Sequence, residues 1–201
     1  MDPLEPAFLL SAYAHGYFPM NIEGELCWLS PDPRAILPLD AVHVPRTLRQ
    51  LMRQNRFEVR YDTCYAEIVR ACADRPDGTW ISPDIIAAYV RLHEFGYAHS
   101  IEVWAGDELA GGLYGVRLGA AFFGESMFHR RLDASKVALV ALVERMRAAG
   151  FTLLDVQYAN QHLERFGVVQ IPKTEYLARL SDALKQSCTL VPGPVADESG
   201  C

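Results

Sequence analysis

The spacing of apolar positions changes several times along the chain, and each change predicts an element. Residues 6 to 16 read as a short helix that Gly16 stops. Tyr17 to Pro38 is aromatic and Pro-rich, which predicts loops and short extended pieces. Val44, Leu48, Leu51 and Met52 then recur at the spacing of one helix face, with Arg46, Arg49 and Arg53 on the other side. Phe57 to Tyr61 reads as a strand, and Asp62 as the cap of a helix that buries Tyr65, Ile68, Val69 and Cys72. After a turn-rich link, Ser82 and Pro83 open a helix that buries Ile86, Tyr89 and Val90 and ends at Gly96.

The second half changes character. Ser100 to Trp104, Glu108 to Arg117 and Ala121 to Phe128 read as three strands joined by tight turns, an antiparallel meander. Asp133 caps a helix that runs to about Ala149, apolar nearly all round from Val137 to Val143 and so deeply buried. Phe151 to Tyr158 is a further strand, reached by a crossover that allows parallel pairing. A helical turn holding His162, a strand over Val168 to Ile171 and a helix from Lys173 to Lys185 complete the pattern. The fold class is therefore α+β: helices and loops, then β-β-β-α-β-(α)-β-α in a mixed, mainly antiparallel sheet. The expected division is a small domain over 1–95, a catalytic domain over 96–190 and a disordered tail over 191–201.

Composition narrows the classes. Half of the 201 residues are hydrophobic and 22% are charged, as in an ordinary globular chain. No apolar run reaches the ~18 residues that would span a bilayer, so no membrane partner is expected. Asp2 and Glu5 near the start do not suit a signal peptide. Five cysteines, none in a C-x-x-C pair, point to reduced thiols in a cytoplasmic protein rather than to disulfides or zinc. The net charge of -6 requires any nucleic-acid partner to meet a local basic patch.

Three groups of residues are out of place for a plain core. In the strand Phe-Thr-Leu-Leu-Asp-Val-Gln, period two puts Leu153, Asp155 and Gln157 on one face. A carboxylate beside an amide there is either a satisfied core pair or a working pair. Glu125 sits in an aromatic strand, on the face of Phe123 and Met127, as a salt-bridged strand-end residue or a functional one. Arg46, Arg49, Arg53, Arg56 and Arg60, with a second set of His129, Arg130, Arg131 and Lys136, form a basic surface that is either merely solvated or bound to phosphates. No Gly-x-x-x-x-Gly-Lys loop is present, and the loop after the third strand is bulky and basic where a pyrophosphate-binding loop would be Gly-rich. Neither a serine nucleophile nor a histidine metal site has support in the spacing.

Long ordered motifs carry a resemblance. They include Trp28-Leu-Ser-Pro-Asp-Pro-Arg-Ala35, Asp77-Gly-Thr-Trp-Ile81, Arg91-Leu-His-Glu-Phe-Gly-Tyr-Ala-His-Ser-Ile-Glu-Val-Trp104, Phe123-Gly-Glu-Ser-Met-Phe128 and Leu154-Asp-Val-Gln157. With Glu108 to Val116, Ala134-Ser-Lys136, Gly167 and Ile171-Pro172, the chain over about residues 9 to 185 resembles the leucyl/phenylalanyl-tRNA–protein transferase family. That resemblance implies a small N-terminal domain and a GNAT-like (acetyltransferase-like) catalytic domain, acting as a monomer. It implies transfer of Leu, Phe or Met from aminoacyl-tRNA to proteins that begin with Arg or Lys, marking them for N-end-rule degradation, with no cofactor and no metal.

On this reading Asp155, Gln157 and Glu125 are catalytic, at the reacting amine and ester. Trp80 stacks on the terminal adenosine, and Phe122, Met127, Leu139, Leu142 and Leu154 line the side-chain pocket. Arg46, Arg49, Arg53, Arg56, Arg60, Arg130, Arg131 and Lys136 contact tRNA phosphates. The chain departs from the family in starting later, and in Met20, Leu29, Val156 and Arg165-Phe166-Gly167. These departures leave two other readings open: a tRNA-dependent transferase with a different acceptor, and a tRNA- or degron-binding module.

Overall fold

A computed structural model describes residues 3–190, so the predicted tail lies outside the described residues. The elements are α1 (Pro6–Ala14), β1 (Phe18–Ile22), β2 (Glu25–Leu29), β3 (Arg34–Ile36), α2 (Arg46–Arg53), β4 (Glu58–Tyr61), α3 (Tyr65–Ala73) and α4 (Pro83–Glu94). They continue as β5 (Ala98–Ala105), β6 (Glu108–Leu118), β7 (Ala121–His129), α5 (Ala134–Ala148), β8 (Leu153–Gln157), α6 (Gln161–Glu164), β9 (Val169–Ile171) and α7 (Lys173–Leu184). β1 and β2 form a hairpin of their own.

The other strands make one seven-stranded sheet in the order β4-β5-β6-β7-β8-β3-β9. β7 and β8 are its parallel pair, joined over the sheet by α5, and the remaining pairs are antiparallel. The α+β class and the mixed, mainly antiparallel sheet are as the sequence predicts. No edge of the sheet falls at residue 95: β3 and β4 precede it and pair with strands that follow it.

α5 is buried from Val137 to Val143, because it lies across the sheet with no polar face turned out. Gly111 abuts Ala134 of α5 and Gly112 abuts Ile68 of α3, so the two helices cover opposite faces of β6. Three local expectations are corrected. Asp62 does not cap α3: its carboxylate takes His99 Nδ1 and the Ser100 amide, while Glu102 accepts the Thr63 and Cys64 amides at the helix start. α4 buries Ile85, Ala88, Tyr89 and Leu92, and leaves Ile86 and Val90 half-buried, a stripe set one residue away from the expected one. Asp133 precedes α5 in the left-handed region and pairs with Lys136 instead of capping the helix.

Two irregularities shape the centre of the sheet. β7 pairs with β8 over Ala121 to Phe123 only, and beyond this the strands part. In β7, Ser126 stands opposite Tyr114 and Gly124 opposite Gly115, which leaves Glu125 as the extra residue of a β-bulge. The bulge reverses the alternation. Phe123 stands opposite Val116 and Met127 opposite Leu113, so Met127 faces the side away from Phe123 and not, as period two predicts, the same side. Gly115 makes the bulge possible, since a Cβ there would lie 2.2 Å from the Phe123 carbonyl oxygen and 2.4 Å from the Phe122 ring. Gly115→Ala is therefore expected to cost about 3 kcal/mol in chemical denaturation, as overpacking against backbone does.

Candidate active site

A charged pair is buried between β3 and β8. Arg34, at the start of β3, is 1% exposed and Asp155, in β8, is wholly buried. Arg34 Nε donates to Asp155 Oδ1 at 2.9 Å and Nη2 donates to Oδ2 at 2.7 Å, a bidentate pair. Nη1 donates to the Gly16 carbonyl at 3.0 Å, and the guanidinium lies between the rings of Phe18 and Tyr176. Burial alone would favour a neutral Arg34, but the Asp155 hydrogen bonds and charge outweigh it and raise the pKa.

Asp155 also accepts from Tyr176 Oη at 2.7 Å and from the Gln157 amide at 2.9 Å. Four donors leave it no lone pair directed at a substrate. Gln157 has φ 56, a strained value for a side chain of its size. The hydrogen bond from its amide to Asp155 holds it there.

Glu125 has a different environment. Tyr13 Oη donates to Oε1 at 2.8 Å, Tyr89 Oη donates to Oε2 at 3.0 Å, and Gln157 Nε2 donates to Oε1 at 3.2 Å. The two tyrosine hydroxyls also touch each other. Burial, against the hydrogen bonds of Tyr13 and Tyr89, pushes the Glu125 carboxyl up to about 7. One N–H of the Gln157 side-chain amide goes to Glu125, and its carbonyl oxygen accepts no hydrogen bond among the described residues.

Both groups open onto a cavity of about 580 Å³ that begins where β7 and β8 part. Leu113, Met127, Leu139, Leu142 and Leu154 form an apolar part of its wall; Trp80, Met20 and Phe18 also line it. Of the predicted pocket residues, Trp80, Met127, Leu139, Leu142 and Leu154 line the cavity. Phe122 does not: it is fully buried, with its ring packed against Gly115. Glu125 and Gln157 line the cavity, whereas Asp155 stands behind Gln157.

The basic residues divide. Arg46, Arg49 and Arg53 line a shallow polar hollow on α2, and like the exposed Arg56 they meet no carboxylate among the described residues. Arg60 is held by Glu58, Arg131 by Glu108 and Lys136 by Asp133, and Arg130 lies 3.7 Å from Glu67. The predicted set thus separates into one open face and four cations with acidic neighbours.

Arg34, Tyr13, Tyr89 and Tyr176 were not singled out as chemistry-bearing in the sequence, although Arg34 falls in the Trp28-to-Ala35 motif. His162, noted only within a helical turn, lines the cavity with a buried Nε2 that has no partner among the described residues. Burial, and then Lys136, hold its pKa below the usual value, so the ring is neutral near pH 7.

A carboxyl that changes charge near neutrality, an amide with a free acceptor and a deep apolar pocket together make a group-transfer site of an enzyme. Comparison with known proteins makes the class specific. The family model described as "Leucyl/phenylalanyl-tRNA protein transferase" matches residues 36–181, and that family's N-terminal domain matches residues 2–32. A leucyl/phenylalanyl-tRNA–protein transferase of Gloeobacter violaceus is 55% identical over 92% of this chain and 96% of its own length. Those of Salinibacter ruber, at 55% over 92% of this chain and 83% of the relative, and Paramagnetospirillum magneticum, at 53% over 93% and 92%, are similar to it as well. The chain belongs to the leucyl/phenylalanyl-tRNA protein transferase family.

Arg34→Met strands a buried carboxylate and is expected to cost about 3–5 kcal/mol in urea denaturation, with much of the loss recovered in Arg34→Met/Asp155→Leu. Tyr176→Phe removes one donor of four and is expected to cost about 1–2 kcal/mol. For Glu125 the sign is set by its raised pKa. The folded protein holds this proton more tightly than the unfolded chain, so the contribution is fully present below the ordinary value of 4.5 and is lost as pH rises through about 7. Parent stability relative to Glu125→Gln is expected to fall over that window, and a flat difference would contradict the assignment.

Proposed function

We propose that this chain transfers Leu, Phe or Met from the ester end of its tRNA to the α-amine of a protein beginning with Arg or Lys, marking that protein for N-end-rule degradation. The observation that carries the reading is Glu125 joined to Gln157 in the wall of a mainly apolar cavity, in a member of this family. The acceptor amine attacks the ester carbonyl carbon. The C–N bond forms, the bond to the ribose oxygen breaks, the amine loses a proton and the ribose oxygen gains one. An aminoacyl ester is already activated, so the step asks only for alignment and one proton transfer, and calls on no cofactor and no metal.

Each role has its own support. The free carbonyl of Gln157 accepts from the amine and aims its lone pair. Glu125, close to half-ionised at neutrality, takes the amine proton and returns it to the departing oxygen. Asp155 is a positioning residue: with Arg34 and Tyr176 it holds the strained backbone of Gln157. Leu113, Met127, Leu139, Leu142 and Leu154 receive the transferred side chain, and Trp80 stacks on the terminal adenosine. Arg46, Arg49, Arg53 and Arg56 meet tRNA phosphates, a task that suits cations without acidic partners. The parallel pair β7/β8, parting at the site beneath a crossover helix, supports a GNAT-like catalytic unit centred on residues 96–190, to whose sheet the preceding part of the chain adds β3 and β4. The protein acts as a monomer in the cytoplasm, and no helix among the described residues is long and apolar enough to cross a membrane.

A second reading keeps the donor and changes the acceptor. It is favoured by Met20 and Val156, two departures from the family pattern that both line the cavity. Transfer of radiolabelled leucine from its tRNA to a model protein beginning with Arg separates the two. Label is expected in the parent. Gln157→Ala is expected to lower kcat about a hundredfold or more. In the parent kcat is expected to rise with pH through about 7, where Glu125 ionises, and this rise disappears in Glu125→Gln. Folded parent protein that labels nothing with Leu, Phe or Met would point to the changed acceptor.

A further inference from the structure

Among the residues lining the cavity, Arg75 is the one Lys or Arg. It lies in the link between α3 and α4, five positions before Trp80, and no carboxylate pairs with it among the described residues. Its guanidinium is nonetheless fixed. Nε donates to the Cys72 carbonyl at 3.0 Å, and Nη2 donates to Ser126 Oγ at 2.8 Å and to the Met127 carbonyl at 3.3 Å. Nη1 makes no hydrogen bond among the described residues. The side chain, itself exposed, is thus a cation held by neutral acceptors of α3 and β7 at the edge of a cavity whose lining carries a single acidic residue, Glu125. An arginine in this state is built to take an oxyanion: the full charge is unspent and the fork needs little further ordering.

We infer that Arg75 binds the 5′-phosphate of the terminal nucleoside of the donor. This rests on the transferase reading and adds to it a subsite of stated chemistry. A nucleoside stacked on Trp80 with its acyl ester directed at Glu125 and Gln157 carries its phosphate on the ribose, between base and ester, and Arg75 is the cation in that cavity that can meet it. The subsite lets the enzyme tell the end of a nucleic acid from a free nucleoside ester. It places part of the donor's binding energy beside the reacting groups, away from the arginines of α2.

Two donors that differ by this one group give the test: leucine esterified to the ribose of adenosine, with and without a 5′-phosphate. For the parent, kcat/KM is expected to be about tenfold higher with the phosphorylated donor. In Arg75→Ala that preference is expected to vanish, mainly through KM, and Arg75→Lys is expected to restore part of it as a point charge without the fork. A parent that does not prefer the phosphorylated donor overturns the subsite. An Arg75→Ala variant that loses equally on both donors also overturns it, and assigns Arg75 to the support of Ser126 and Met127. Folded parent protein that transfers from neither donor, nor from charged tRNA, to a protein beginning with Arg or to a small amine acceptor overturns the transferase reading itself.

Discussion

The buried pair of Arg34 and Asp155 is the interaction on which the site depends. It is a costly choice: two charges leave water, and such pairs are often no more stable than apolar replacements of the same shape. Here the charges hold parts that apolar contacts would let slide. Arg34 joins β3 to β8, reaches Gly16 beyond α1, and lies between the rings of Phe18 from β1 and Tyr176 from α7. β3 is three residues long and α1 nine, too short to fix themselves. With the pair in place, Asp155 can hold Gln157 in a backbone conformation that it would not adopt alone.

Two carboxyls in one site then have separate duties because their surroundings differ. Asp155 meets a guanidinium and two further donors in a sealed interior. Glu125 lines the cavity on a bulge, with two tyrosines and an amide and no cation in contact among the described residues, so burial dominates and the proton is held up to about neutral pH. The bulge itself follows from Gly115, which admits the Phe123 carbonyl and the Phe122 ring where a side chain would stand. One glycine in β6 thereby decides where the carboxyl of β7 points.

Much of this was legible in the sequence. α5 was plain because its apolar run fits neither an exposed helix nor a strand, and Asp155 and Gln157 were conspicuous as polar residues in a core strand. Of the side-chain pocket expected from the resemblance, Met127, Leu139, Leu142 and Leu154 line the cavity and Phe122 does not, while Leu113, Arg75 and His162 line it unforeseen. What escaped was non-local. Arg34 finds its partner 121 positions away, from a strand too short to show a period, and the tyrosines that hold Glu125 come from two helices in the other half of the chain. The bulge hid the true face of Met127, since alternation can be read only through an unbroken ladder. Local capping failed at Asp62 because His99 and Ser100 of β5 competed for its carboxylate and Glu102 took the helix amides.

The division of labour between the two carboxyls is most directly read from the Glu125 carboxyl carbon itself. In protein carrying carboxyl-labelled glutamate, carbon NMR across a pH titration is predicted to show one glutamate that ionises near 7, lost in Glu125→Gln and shifted in Tyr13→Phe. If every glutamate instead titrates in the ordinary carboxylate range, Glu125 is not the group that carries the proton, and the account of the site is wrong.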